Sequence, residues 1–239
     1  MILNKILKIM FPEGYSCVCC GNEIFDKENG VCDYCEKSLP YIKGRICLHC
    51  GEPLISDGDY CKKCKGKKFI YDRAITVFEF KDKARNLVLG LKYNNQKYLA
   101  KPLGKFLKDI YENSKFFADL IIPVPLCEKR LKIRKYNQAE LIANEFSNNV
   151  GIEIRNDILF RVKETPTQTK LNYTERQQNL KDAFRVKNRK FIKDKTIILI
   201  DDVLTTGATV TECAKVLKSA GAKCVYVLAI CHTIMSDKK

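Results

Sequence analysis

The stretch Ile197-Ile198-Leu199-Ile200-Asp201-Asp202-Val203-Leu204-Thr205-Thr206-Gly207-Ala208-Thr209 decides the fold. With Thr196, its opening residues form a continuous apolar run, typical of a central parallel strand buried on both faces. Ala208 to Ala220 has helical spacing and stops at Gly221. The loop between them therefore lies outside the carboxyl end of a strand, where ligands gather in open α/β sheets. Two adjacent aspartates there repel each other, so hydroxyl donors, a cation, or both must compensate their charge. The residues that follow suit a phosphate. Gly207 permits a close backbone path, Thr205, Thr206 and Thr209 offer hydroxyls, and the helix start adds unpaired N–H groups and a positive dipole end. Carboxylates for sugar hydroxyls followed by an anion cradle describe a ribose 5-phosphate site. The competing phosphate motif, a Walker A loop, needs Gly-Lys-Ser/Thr, which the chain lacks. An ordinary strand-to-helix turn leaves the paired aspartates and three threonines unexplained.

Outward from this segment the alternation continues. Strands are predicted at Ile70–Phe80, Leu120–Pro125 and Cys224–Ile230, and helices at Lys97–Tyr111 and Asn137–Asn148. The class is α/β, a parallel sheet with helices on both faces. After Pro123-Val124-Pro125-Leu126 come five cations in seven residues, Lys129, Arg130, Lys132, Arg134 and Lys135, read as a basic turn. They suit a pyrophosphate, Arg130, Arg134 and Lys135 above all, although such runs are usually solvated. A polar loop around Thr165–Leu171 and Arg176 offers Gln168, Thr169 and Arg176 to close over a bound anion.

Of thirteen cysteines, nine precede residue 65, and eight of those form Cys-x-x-Cys pairs: Cys17/Cys20, Cys32/Cys35, Cys47/Cys50 and Cys61/Cys64. Cys17-x-x-Cys20-Gly21 recurs as Cys47-x-x-Cys50-Gly51, each copy followed by a second pair after eleven or ten residues. That is zinc-ribbon spacing, and two structural zinc ions are expected. A segment with so little aliphatic content needs metal in place of a core. Sequential sharing of the pairs is the simplest assignment, with crossed pairing as the alternative. Cys19 is a spare thiol and His49 a knuckle residue. Redox motifs would open a helix in a βαβ unit, which these pairs do not. The expected division is a double zinc ribbon over 12–67 and the α/β domain over 68–235.

The 197–209 segment resembles the PRPP-binding signature of type I phosphoribosyltransferases at all thirteen positions. The resemblance implies that Asp201 and Asp202 face the ribose hydroxyls, while Val203, Leu204 and Thr205 to Thr209 complete the PRPP site around the 5-phosphate. Together with Pro123–Leu126, Asn137-Gln138-Ala139, Thr165-Pro166-x-Gln168 and Arg176-x-x-Asn179, the ribbon and the signature resemble the ComF (ComFC) family of bacterial competence proteins over residues 12 to 232. One departure is visible. Lys135-Tyr136 stands where that family has a Gly-aromatic pair, and the bulkier residue is expected to alter the backbone there. The resemblance implies a type I phosphoribosyltransferase-like domain after a double zinc ribbon, with magnesium-dependent PRPP binding. It also implies a role in uptake of single-stranded DNA during natural transformation.

Lys+Arg 43 against Asp+Glu 28 gives a net charge of +15, which attracts phosphate backbones without reading sequence. The expected partners are PRPP or a related phosphorylated sugar, single-stranded DNA, and a DNA-uptake helicase or recombination protein. No apolar run is long enough for an integral membrane span. Ile2–Phe11 is amphipathic but broken by Lys5 and Lys8 and makes a poor signal peptide, so a cytoplasmic place is expected, or one at the inner face of the membrane through partners. An active phosphoribosyltransferase of nucleotide metabolism is the alternative function, with Asp201 and Asp202 as its catalytic pair. Ammonia transfer would need a processed N-terminal cysteine, which Met1-Ile2 does not supply. No segment builds a base pocket, and the ribbons are expected where a hood would sit.

Overall fold

The computed structural model describes residues 16–25, 29–54, 57–164 and 179–234. Four strands, β1 (Arg73–Glu79), β2 (Leu120–Pro123), β5 (Thr196–Leu204) and β6 (Cys224–His232), form a parallel sheet in the order β1-β6-β5-β2. The apolar run at 196–200 is therefore interior, with β6 on one side and β2 on the other. Side-chain alternation sends Ile198 and Ile200 to one face and Ile197 and Leu199 to the other.

The first face is covered by α2 (Asp82–Tyr93), α3 (Ala100–Glu112) and α5 (Gln138–Val150), through Leu87, Leu91, Leu103, Phe106, Ile142 and Phe146. The second packs on α6 (Ala208–Ser219) and on an antiparallel pair, β3 (Leu159–Arg161) with β4 (Phe184–Val186). Burial on both sides explains why these strands lack a polar face. Helix α2 was not anticipated from the sequence. Its apolar positions Ala84, Leu87, Val88 and Leu91 have helical spacing, interrupted by charged and polar neighbours.

Ribbon and sheet share a core. Ile24, Val31 and Leu39, the last directly after the ribbon helix α1 (Asp33–Ser38), join the same buried cluster as Phe78, Leu87 and Phe106. The link between the two halves of the ribbon also covers the free edge of β1. Tyr41 bridges Phe78, Ile42 N–H donates to the Val77 carbonyl at 2.9 Å, and Glu79 N–H donates to that of Pro40 at 2.9 Å. At the opposite edge Ile121 bridges Ile154. Neither edge is left as a template for foreign strands.

Candidate functional site

Strand β5 runs to Leu204, further than the apolar run predicts, so Asp201 and Asp202 are the last polar residues of a strand and do not stand beyond it. Asp202 is 3% exposed. Lys92, in the last turn of α2, sets its Nζ 2.8 Å from Asp202 Oδ1. The Tyr136 hydroxyl donates to the Leu91 carbonyl and so fixes the helix end that carries this lysine. The cation required by the paired aspartates is thus built into the fold. The other oxygen, Asp202 Oδ2, is buried with no hydrogen-bond partner among the described residues. Asp201 accepts the Asp202 N–H at 2.8 Å. Burial and the Asp202 charge push the Asp201 carboxyl up to about 7, against the opposing pull of Lys92.

The loop after the strand turns on Gly207, whose φ of 73° is left-handed and favours glycine. Ala208 N–H donates to Thr206 Oγ1 at 3.4 Å, and the helical ladder of α6 starts where Thr211 N–H meets the Gly207 carbonyl at 2.9 Å. The N–H groups before that point have no carbonyl within the helix. Leu204 and Ala208 are buried in the core, whereas Val203, Thr205 and Thr209 line the cleft in front of the loop.

That cleft holds about 830 Å³, and Asp201 and Asp202 stand in its wall. Facing them is α4 (Glu128–Arg134), a helix where a basic turn was expected. The helical period settles which cations face inward. Arg130 and Arg134, one turn apart, line the cleft, while Lys132 lies on the solvent side, 3.8 Å from Glu128. Lys135 also lines it, in the left-handed conformation at φ 67°. The backbone expected to change at this lysine therefore keeps the form a glycine would take. Arg134 donates to Gln138 Oε1 at 2.5 Å and lies 4.9 Å over the Tyr93 ring. Asn137 ties the wall together, donating to the Val124 carbonyl at 3.0 Å and capping α5 by accepting Ala139 N–H at 3.1 Å.

Lys92, Tyr93 and Arg161 line the cleft and were missed from the sequence. The only signal for Lys92 was a lysine directly after the apolar stripe of α2. Arg161 ends β3 on the other face of the sheet, where burial lowers its pKa and the Asp201 charge opposes that. It carried no sequence signal. Among the described residues, none that lines the cleft or its mouth comes from the ribbon, so the described part of the ribbons does not form the expected hood. Tyr93, Asn95 and Lys97 stand at that mouth instead. Gln168, Thr169 and Arg176 lie outside the described residues.

The eight paired cysteines gather sequentially, Cys17, Cys20, Cys32 and Cys35 in one set and Cys47, Cys50, Cys61 and Cys64 in the other, with the sulfurs of each set within 4.8 Å of one another. Cys19 and His49 belong to neither set. The repeat is preserved in the backbone. Gly21 N–H returns to the Cys17 carbonyl and Gly51 N–H to that of Cys47. Burial works against a Cys17 thiolate, but N–H groups of Cys32, Cys19 and Cys20 outweigh it and bring the thiol down to about 6. Cys47 is lowered in the same way. Burial and neighbouring sulfurs push Cys35 and Cys64 up to about 12. Four thiolates this close need a divalent cation, and four sulfur donors suit zinc, whose part here is to hold the knuckles together.

Comparison with known proteins gives a match to a double zinc ribbon domain over residues 6–65 and to a phosphoribosyl transferase domain over 138–239. The chain is 32% identical over 222 residues to competence protein F of Haemophilus influenzae, covering 89% of this chain and 95% of that protein. It is 29% identical over 210 residues to the DNA utilization protein YhgH of Escherichia coli, with 86% and 91% covered. Competence protein ComFC of Streptococcus pneumoniae is 28% identical over 202 residues, with 84% and 86% covered.

Proposed function

This chain belongs to the competence protein F (ComF) family, and we propose that it binds magnesium-PRPP in the cleft at the end of β5. The observation that carries this reading is the buried Asp202 Oδ2, with no hydrogen-bond partner among the described residues, beside the Lys92 ion pair. A buried carboxylate oxygen with no donor is costly unless a ligand supplies one, and a ribose hydroxyl is such a donor. Asp201 and Asp202 would take the 2′ and 3′ hydroxyls, and Thr205 to Thr209 would wrap the 5-phosphate at the start of α6. Arg130, Arg134 and Lys135 would face the pyrophosphate, with Gln168 and Arg176 closing over it. Magnesium, carried by the ligand, would supply neutralisation of the pyrophosphate charge beside these cations.

The test is thermal. Magnesium-PRPP at about 100 times its dissociation constant adds about 2.7 kcal/mol, an expected rise in Tm of about 5–10 °C. The rise should shrink as pH falls through 7, because Asp201, raised to about 7, gains a proton and can no longer accept from the sugar as a carboxylate. No rise at any pH overturns the assignment.

The biological role we propose is handling of incoming single-stranded DNA in natural transformation, supported by the relatives' names and by the +15 charge. A helicase or recombination protein at the inner face of the membrane is the partner class this role calls for. Among the described residues no helix is long and apolar enough to cross a membrane. Lys62, Lys63, Lys65, Lys67 and Lys68 are all exposed. With about four phosphates contacted, affinity for single-stranded DNA should fall about 50-fold between 50 and 200 mM salt. A flat response removes the backbone contacts. Transfer of ribose 5-phosphate to an acceptor is the second reading, favoured by Tyr93, which is 70% exposed at the cleft mouth and gives a ring a face to lie on. Release of pyrophosphate from PRPP in the presence of candidate bases distinguishes the two.

A further inference from the structure

His49 sits between two ligands of the second cysteine set, Cys47 and Cys50, and is 8% exposed. Its ring is clamped between two others, Phe69 at 3.6 Å and 12° and Tyr71 at 4.0 Å and 18°. The backbone is anchored as well, since Ala74 N–H donates to the His49 carbonyl at 2.6 Å. Gly51, the next knuckle residue, lies so close to β1 that a Cβ there would come within 2.9 Å of the Ala74 carbonyl oxygen. Tyr71 is 3% exposed and extends across the second face of the sheet to the phosphate-loop candidate. A Cβ on Gly207 would stand 3.3 Å from the Tyr71 hydroxyl. One packed line thus runs from the Cys47/Cys50 knuckle through His49 and Tyr71 to Gly207.

We propose that the second zinc ribbon is a strut for the phosphate loop, acting through the stack of His49 on Tyr71 and the close approach of the Tyr71 hydroxyl to the site where a Gly207 side chain would stand. His49 and Tyr71 are positioning residues that touch no ligand. The inference rests on the ribose 5-phosphate assignment made above and adds what holds the 205–209 loop in shape. Buried packing is stiff, so a displaced Tyr71 is transmitted to the glycine where the loop turns. It is the planar ring of His49 that matters and not its acid–base chemistry, because Nδ1 is buried without a hydrogen-bond partner among the described residues.

The experiment measures ribose 5-phosphate and magnesium-pyrophosphate binding by calorimetry on the full, zinc-loaded chain, with zinc content determined for each protein. His49→Ala should keep two zinc ions and bind ribose 5-phosphate about tenfold more weakly, with pyrophosphate affinity unchanged. His49→Phe restores a flat ring and should restore the affinity. Tyr71→Phe keeps the ring stacked on His49, takes away the hydroxyl that faces Gly207, and should weaken ribose 5-phosphate about threefold. If His49→Ala loses zinc or does not fold, Tyr71→Phe and His49→Phe decide. Wild-type binding with unchanged affinity in Tyr71→Phe, or equal losses for both ligands, overturns the strut. Absence of ribose 5-phosphate binding by the wild type overturns the site assignment and the strut with it.

Discussion

Asp201→Asn is expected to melt at a higher temperature than the wild type at pH 8 and to lose the stabilisation by magnesium-PRPP. The two effects have one cause. Burial and the Asp202 charge raise the Asp201 carboxyl from 3.8 to about 7, so keeping it ionised in the folded state costs up to about 4 kcal/mol above that pH. The cost is absent below about pH 4, grows between pH 4 and 7, and is complete above 7. Asparagine keeps the oxygen that accepts the Asp202 N–H but carries no charge. Recovering about half of the cost gives about 2 kcal/mol, or roughly 5 °C. The advantage should be small at pH 4.5. Lys92→Met should act in the opposite direction, because it leaves Asp202 buried without its cation. A loss of about 3 kcal/mol is expected, or about 8 °C. Melting curves at pH 4.5 and 8, with and without ligand, check both variants. A less stable Asp201→Asn would contradict the electrostatic cost of the buried charge, and one still stabilised by PRPP would contradict the role of the carboxylate in binding.

Metal loss should divide the two ribbons. Wild type should carry two zinc ions, and one cysteine substitution in either set should remove one. The stability outcomes should differ because the sets are embedded differently. The first set shares its surroundings with Ile24, Val31 and Leu39, which are part of the main core. Cys35→Ser should therefore uncover that core and cost about 5 kcal/mol or more, lowering Tm by about 10–20 °C. Around the second set, Cys47, His49, Gly51 and Cys64 are buried, with no buried aliphatic side chain among the described residues from 44 to 68. Cys61→Ser should release one zinc with a Tm loss below about 5 °C, the ribbon opening locally while the sheet stays folded. Metal analysis together with calorimetric melting reads both quantities. Equal Tm losses would mean that the second ribbon also carries the core.

The four cysteine pairs could be read because a knuckle is made by residues three apart, and the 197–209 segment because strand, carboxylates and loop are contiguous. The order of the sheet strands β1, β2, β5 and β6 and of helices α3, α5 and α6 was readable for the same reason, whereas α2, with an apolar stripe broken by polar neighbours, α4 and the short pair β3 and β4 were not. Arg130, Arg134 and Lys135 are legible as candidate anion ligands, but the reason they face the cleft while Lys132 does not is the helical period of α4, which a turn at 129–135 does not supply.

By itself, then, the sequence determined the fold class, the metal ligands and the carboxylate-and-loop segment, all of which are set by neighbours along the chain. The tertiary structure decided which distant residues complete them. Lys92 reaches Asp202, and His49 reaches Gly207 through Tyr71, only because β1 and β5 are both hydrogen-bonded to β6. That neighbourhood is chosen by burial of both sheet faces over the whole chain, and no local propensity carries it.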